Sequence, residues 1–257
     1  MSQKGICQLA CIPIRKEDSD RSEMTSQLLF GETVDILEIT DKWLMIRCHH
    51  DQYEGWVDKK QIQVLTEGSP NLIKTSTAPL LIVRNPEGGF NFLPAGSQLR
   101  ITSETSIECG NRRFECSKED LHNATQLTEI TLGALMFLDT PYLWGGRTLM
   151  GIDCSGFTQL IYRMAGKSIP RDAYQQAEIG ELVAFIDEAQ TGDLAFFDNS
   201  EGRITHVGIV IHQPHSGEKT IIHASGKVRM DRLDHQGIFN IDSGSYSHQL
   251  RTIRRMR

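Results

Sequence analysis

The sequence predicts an α+β protein in which two small all-β barrels precede a domain of helices followed by an antiparallel sheet. Three observations lead to that expectation. Short strands with turn residues between them fill the first third of the chain. A weak echo of the same pattern follows: Ala95 to Ile101 repeats the character of Gly31 to Ile36, and Arg113 to Leu121 that of Trp56 to Ile62. From about Ala124 the apolar period changes from strand-like to helical.

In order, residues 33–39 read as a half-buried strand after the turn Phe30-Gly31-Glu32, and 43–47 as a second after Thr40-Asp41-Lys42. Residues 51–57 form a turn leading into a third strand. Connections rich in glycine and proline at 68–70 and 85–89 suit the loops of such barrels. The expected domains are 1–67, 68–124 and 125–257. Leu127, Ile130, Thr131, Ala134, Leu135 and Leu138 mark a helix that Pro141 stops. A second helix starts at Cys154, with Phe157, Leu160, Ile161 and Met164 at i, i+3, i+4 and i+7. A further helical stretch covers 173–183. Thr191-Gly192-Asp193 turns into strand 194–197, and 204–211, 220–225 and 250–253 complete the sheet.

Composition narrows the function classes. Hydrophobic residues at 39% and charged residues at 23% are an ordinary globular balance, and a formal net charge of −6 argues against a nucleic-acid partner. No apolar run is long enough to span a bilayer, and the first ten residues lack the apolar core of a secretory signal, so a cytoplasmic protein is expected. A monomer is expected. The six cysteines form no disulfide-scaffold pattern. Cys7 and Cys11 with Cys48-His49 match no usual zinc spacing, and no phosphate-binding glycine loop is present, so no metal and no cofactor are expected. Cys109 and Cys116 flank the turn Gly110-Asn111-Arg112-Arg113, placed to face each other, reduced, across two strands.

Cys154 stands where a glycine-closed loop feeds a helix. Unpaired backbone N–H groups there favour the thiolate, so the position suits a nucleophile; a buried structural cysteine is the plainer alternative. His206 and His223 sit on apolar strands. Each alone could be a satisfied core histidine, but together, downstream of that cysteine, they suggest a Cys-His-His relay. In it His206 takes the thiol proton and His223 holds the imidazole in the right tautomer.

The ordered segments Tyr142-x-Trp144-Gly145-Gly146, Asp153-Cys154-Ser155-Gly156-Phe157, Gly192-Asp193-Leu194-x-Phe196-Phe197, His206-Val207-Gly208-Ile209 and Ile222-His223-Ala224-Ser225 resemble the NlpC-type superfamily of cell-wall peptidases. The resemblance covers about half the chain. It implies a papain-like catalytic domain with Cys154 as nucleophile, His206 as base and His223 as the third residue. It also implies that Tyr142 helps the backbone N–H of Cys154 form an oxyanion hole, where one donor is worth about 100- to 1000-fold in rate. Residues Ser22-Glu23-Met24, Leu29-Phe30-Gly31-Glu32 and Asp51-x-Tyr53-Glu54-Gly55-Trp56-Val57 resemble the bacterial Src-homology-3-like domain of the dipeptidyl-peptidase VI group. That group acts on murein peptides with a free N-terminal L-alanine and releases L-Ala-D-Glu by cutting the γ-D-glutamyl–diamino acid bond. By resemblance Glu23, Tyr53 and Asp153 bind the ammonium group and Ser155 the γ-glutamyl part. On the residues alone, Glu23 reads equally as a surface charge, Tyr53 as a core aromatic, and Asp153 and Ser155 as helix caps. One departure stands out: after Pro170-Arg171-Asp172 the group often has serine where this chain has Ala173, so a hydroxyl contact is missing or falls to Ser168. The competing expectations are a wall-fragment binding module with an inactive peptidase domain, and an amidase or acyltransferase on the same fold.

Overall fold

The computed structural model describes residues 3–65, 73–212 and 219–256. The chain divides into two compact units, Met1–Thr128 with Trp144–Leu149, and Glu129–Leu143 with Met150–Arg257.

The first unit holds two antiparallel sheets. Strands β1 (Gln3–Cys7), β2 (Cys11–Arg15), β3 (Met24–Leu29), β4 (Thr33–Ile39), β5 (Trp43–Cys48), β6 (Glu54–Asp58) and β7 (Ile62–Leu65) pair in the order β3-β2-β6-β5-β4-β1-β7. Strands β8 (Ile73–Thr75), β9 (Leu80–Arg84), β10 (Phe90–Pro94), β11 (Gln98–Ser103), β12 (Ser106–Cys109) and β13 (Arg112–Glu115) pair in the order β10-β9-β13-β12-β11-β8. Alternation along the strands puts Ile12, Ile14, Leu28, Val34 and Ile46 into one core and Leu81, Val83, Leu99, Ile107 and Phe114 into another. Phe30 follows β3 yet packs edge-to-face on Phe114 at 5.1 Å, and the Gln98 N–H donates to its carbonyl at 2.8 Å. The two sheets are therefore stitched into one unit.

Two small antiparallel sheets stand where the two small barrels are expected. Among the described residues neither sheet closes on itself, and each narrows to a single residue pair, Arg15 with Trp56 and Glu115 with Arg84. The echo itself is seen: turns with positive φ at Gly31 (76°) and Gly96 (85°) lead into β4 and β11, and each strand carries a bulge against its neighbour. The expected connection at 68–70 and the 67/68 boundary lie outside the described residues. Residues 118–123 form helix α1 (Lys118–Asn123), capped by the Ser117 hydroxyl on the Asp120 N–H. Cys109 lies opposite Arg112, and the register then runs Ser106 to Glu115, so Cys116 does not face Cys109. The two-residue loop Gly110-Asn111, with Gly110 at φ 58°, sets that register.

The segment carrying β14 (Arg147–Thr148) is held in this unit by Arg147, whose side chain is buried. Its guanidinium meets both oxygens of buried Glu32 at 3.1 Å and the Gln27 carbonyl at 2.6 Å. Its backbone N–H donates to Gln27 Oε1 at 2.7 Å. A charge this deep needs such partners, because an unpaired one costs several kcal/mol.

The second unit begins with α2 (Ile130–Leu135), β15 (Gly151–Ile152), α3 (Cys154–Met164), α4 (Ala173–Ala177) and β16 (Glu181–Val183). Its sheet continues with β17 (Leu194–Asp198), β18 (Ile204–His212), β19 (Lys219–Ser225), β20 (Lys227–Leu233), β21 (Gly237–Asn240) and β22 (Ser245–Arg255). The order is β16-β22-β17-β18-β19-β20-β21, and a further β21–β22 pairing closes six strands into a ring. Ala195, Phe197, Val210, Ile221, Leu233 and Ile253 fill one core of this sheet.

Two expected helices are shorter than their periodicity. The turn after α2 tightens to i→i−3 bonds, Phe137 N–H to Ala134 O and Leu138 N–H to Leu135 O, and Asp139 at φ 65° ends it. Leu127, Leu135 and Leu138 are exposed, and Phe137 is the buried anchor. The stretch 173–183 splits into α4 and β16 at Gly180. Its φ of +78°, and a would-be Cβ 2.7 Å from the Arg255 carbonyl, exclude a helical continuation.

Candidate active site

Helix α3 starts at Cys154 because Asp153 caps it. The Asp153 carboxylate accepts the Gly156 N–H at 2.6 Å while its own backbone stays extended. Phe157, Leu160, Ile161 and Met164 are buried as their spacing predicts, and only Arg163 of the helix escapes full burial. The helix packs on β18 and β19, the strands that carry the two histidines.

Arg171, which leads into α4, braces the helix start. Its guanidinium donates to both Asp153 oxygens, at 3.0 and 2.6 Å, and to Ser155 Oγ at 3.0 Å. Gln176 of α4 donates to the Ser155 carbonyl at 3.1 Å and accepts from Thr158 at 2.7 Å. Asp153 and Ser155 thus act as a cap and as members of a buried ion-pair cluster, whatever else they do. Ala173 is buried as the first residue of α4, and Ser168 is exposed.

The histidines meet through strand register. Gly208 of β18 lies opposite His223 of β19, so His206, two residues earlier on the same face, is the diagonal neighbour of His223. Their rings join at 2.7 Å, His206 Nε2 to His223 Nδ1. Gly208 leaves the room: a Cβ there would lie 2.8 Å from the His223 Cβ and 2.7 Å from the Ile221 side chain. The Cys154 sulfur lies 4.0 Å from the carbonyl of Thr205, the residue before His206. With Nε2 of His206 engaged by His223, Nδ1 is the nitrogen left to serve a thiol.

Sequence reasoning missed three residues here. Arg171 is one. His248 of β22 is the second; its ring stacks on His206 with centroids 4.2 Å apart and planes 22° apart. Asp231 of β20 is the third, 3.0 Å from His223 Nε2. Arg229-x-Asp231 puts two charges on one face of an apolar-edged strand, a signal the sequence carried. Nothing local marked His248, which reaches the site only because the sheet closes.

Burial dominates the electrostatics. The Cys154 thiol is pushed up to about 12 by desolvation and then by the charge of Asp153, against smaller lowering by the Val207 N–H and Arg171. Desolvation and the neighbouring histidines hold His206 well below its ordinary value, and His248 at about 4. This corrects the expectation of an acidified thiol: burial and then the Asp153 charge at the helix terminus raise it, and Arg171 offsets only part of that. Tyr142, half exposed and held by its N–H to the Gly226 carbonyl at 3.0 Å, is raised to about 12 by partial burial and by Cys154 and Asp153. Its hydroxyl is therefore a donor at neutral pH.

Two further expected residues lie in the first unit. Glu23 is exposed. It accepts the Trp144 indole N–H at 2.7 Å and has Lys16 at 3.9 Å. Tyr53 is half-buried against the barrel core, and its backbone N–H donates to Asp51 at 3.1 Å. Beside it, Cys48, His50 and Asp51 bring one possible ligand atom each within 4.8 Å of one another. His50 Nε2 is already shared by Asp51 at 2.9 Å and Arg147 at 3.1 Å, and Cys48 is fully buried. A guanidinium against the cluster disfavours a metal cation.

Known proteins are similar to this chain in sequence and in fold. The pattern of the NlpC/P60 family matches residues 139–242, which hold Tyr142, Cys154, His206, His223 and Asp231, and that of the bacterial dipeptidyl-peptidase Sh3 domain matches 14–62. A gamma-D-glutamyl-L-lysine dipeptidyl-peptidase of Bacillus subtilis is 31% identical over 218 residues, 75% of this chain and 73% of that one. Dipeptidyl-peptidase 6 of Lysinibacillus sphaericus is 26% identical over 84% of this chain and 86% of its own. A crystal structure of an NlpC/P60 family protein from Bacillus cereus has the same fold, with a TM-score of 0.80 at 21% identity, covering 98% of this chain and 99% of that one. Since the peptidase pattern spans the cysteine and both histidines, and the Bacillus subtilis relative matches over most of its length, the chain belongs to the NlpC/P60 family of cysteine peptidases, with its relatives among the gamma-D-glutamyl-L-lysine dipeptidyl-peptidases.

Proposed function

We propose that this protein hydrolyses the bond between γ-D-glutamate and a diamino acid, lysine or diaminopimelate, in murein peptides with a free N-terminal L-alanine, releasing L-Ala-D-Glu. The observation behind the reading is the buried line from His206 to His223, on the strands that pack against the helix begun by Cys154. Two Bacillus relatives named gamma-D-glutamyl-L-lysine dipeptidyl-peptidase support the choice of bond.

In this reading Cys154 is the nucleophile, His206 the base and His223 the group that orients it. Burial keeps the thiol protonated and the imidazole neutral beforehand, so the proton moves to His206 Nδ1 as sulfur attacks the γ-glutamyl carbonyl carbon. The developing oxyanion meets the backbone N–H of Cys154 with Tyr142 assisting. His206 then protonates the leaving amine of the diamino acid, and a thioester remains. Water attacks the thioester carbonyl and passes a proton to His206, which returns it to the departing thiolate. The substrate ammonium is assigned to Glu23, Tyr53 and Asp153, and the γ-glutamyl part to Ser155. Arg171 holds both oxygens of the Asp153 carboxylate in place beside Cys154.

Incubation with L-Ala-γ-D-Glu-diaminopimelate and its lysine counterpart should release the free diamino acid and L-Ala-D-Glu, and N-acetylation of the alanine should abolish turnover. Turnover that survives Cys154→Ala would overturn the mechanism. The reading includes action as a monomer in the cytoplasm, on recycled peptides; light scattering and cell fractionation test those two parts.

A further inference from the structure

The hydrogen-bonded line does not end at His223. His223 Nε2 lies 3.0 Å from Asp231 Oδ2, and Asp231 is fully buried on a strand face it shares with core residue Leu233. Arg229 grips this carboxylate from the same face, Nε to Oδ2 at 2.7 Å and Nη2 to Oδ1 at 2.9 Å, and the Ile241 N–H adds a third donor at 3.0 Å. Arg229 is itself tied to Asn240 at 3.3 Å and Asp242 at 2.9 Å. Burial works against ionisation of Asp231, but the bonds from His223, Arg229 and Ile241 outweigh it and hold the carboxyl well below the ordinary carboxylate range.

An ionised carboxylate only accepts hydrogen bonds. Nε2 of His223 must therefore carry the hydrogen, which leaves its Nδ1 as the acceptor. Nδ1 can accept only if His206 Nε2 carries a hydrogen, and a neutral His206 then has its lone pair on Nδ1. Reversing the first bond reverses every later one. We propose that Asp231, clamped by Arg229, is a positioning residue that sets the tautomers of both histidines and so makes His206 Nδ1 the basic atom. The proposal rests on the Cys154-His206-His223 reading. Arg229, shared with Asp242, offsets part of the Asp231 charge, so the carboxylate contributes direction more than charge to the relay.

Nitrogen-15 NMR of the histidine rings in the Cys154→Ser protein at pH 8 reads the tautomers without any turnover. The expected spectrum has hydrogen on Nε2 of both His206 and His223. Hydrogen on His206 Nδ1 in that protein would overturn the proposal outright. Asp231→Asn can present its amide N–H₂ to His223, so its rings should shift toward the opposite tautomers. In the active protein its kcat should fall about 100- to 10,000-fold, as when a triad aspartate is made an amide, with KM little changed. Arg229→Gln leaves the carboxylate as acceptor and should keep the parent tautomers. Unaltered tautomers in Asp231→Asn, or a kcat within about threefold of the parent, would refute the role. Activity in Cys154→Ala would instead refute the underlying reading, and the tautomer result would stand apart from it.

Discussion

Arg171→Met removes the cation that braces the start of α3. Methionine fills much of the same volume, so the loss is mainly of charge and three hydrogen bonds, two to Asp153 and one to Ser155. Asp153 remains, buried at 6% exposure, with its helix cap but without the guanidinium. Breaking a buried pair from one side costs about 3–5 kcal/mol, most of it from the charge left behind. For a domain of this size that lowers the melting temperature by about 10–15 °C. Urea unfolding followed by circular dichroism measures the loss. Adding Asp153→Asn removes the stranded charge, so the double variant should recover about 2 kcal/mol relative to Arg171→Met alone. Arg171→Lys should fall between, since one ammonium cannot reproduce the fork. A midpoint for Arg171→Met within about 1 kcal/mol of the parent, or strictly additive single and double variants, would refute the idea that this pair anchors the nucleophile's helix.

Alkylation of Cys154 by iodoacetamide should accelerate steadily from pH 7 to 11, because burial holds the thiol near 12; a rate already at plateau by pH 6 would mean a preformed thiolate. Folding stability should decline from about pH 9 upward, since unfolding returns the thiols of Cys7, Cys109, Cys116 and Cys154 to 9.0 and the unfolded chain then releases protons that the folded one keeps. It should also decline as pH falls below about 6.5, where the unfolded chain protonates the histidines that the fold keeps neutral, His206 and His248; a flat urea midpoint from pH 4 to 7 would contradict this. Gly208→Val should cost about 1–3 kcal/mol from overpacking and depress kcat by spreading the histidine pair, and normal activity would show that the pair tolerates the extra atoms. Trp144→Phe deletes one hydrogen bond to Glu23, so KM for a free-amino peptide should rise about fivefold with kcat kept; an unchanged KM would separate Glu23 from the ammonium.

Much of the site is legible in the linear chain because its signals are local. A cap, a cysteine and an apolar stripe at i, i+3, i+4 and i+7 lie within a dozen residues, and they define α3 wherever it packs. The apolar runs around His206 and His223 likewise mark two strands that are buried over most of their length. Local reading failed where a boundary depended on a neighbour. The stretch 173–183 has helical character, yet Gly180 turns it into an edge strand against β22.

Tertiary structure alone decided three matters. Register put Gly208 opposite His223 and Ile221 opposite Asp231, and a shift of one residue would have turned the histidines to opposite faces. Closure of the sheet through β21 and β22 brought His248 onto His206 from more than forty positions along the chain. Burial reversed the expected chemistry of Cys154. The helix start that the sequence reveals would favour a thiolate in water. In the folded chain desolvation and the Asp153 charge raise the thiol, against smaller lowering by the Val207 N–H and Arg171. Residue order sets which groups are present and which way each points along its own element, whereas dielectric and long-range pairing exist only once the elements have packed.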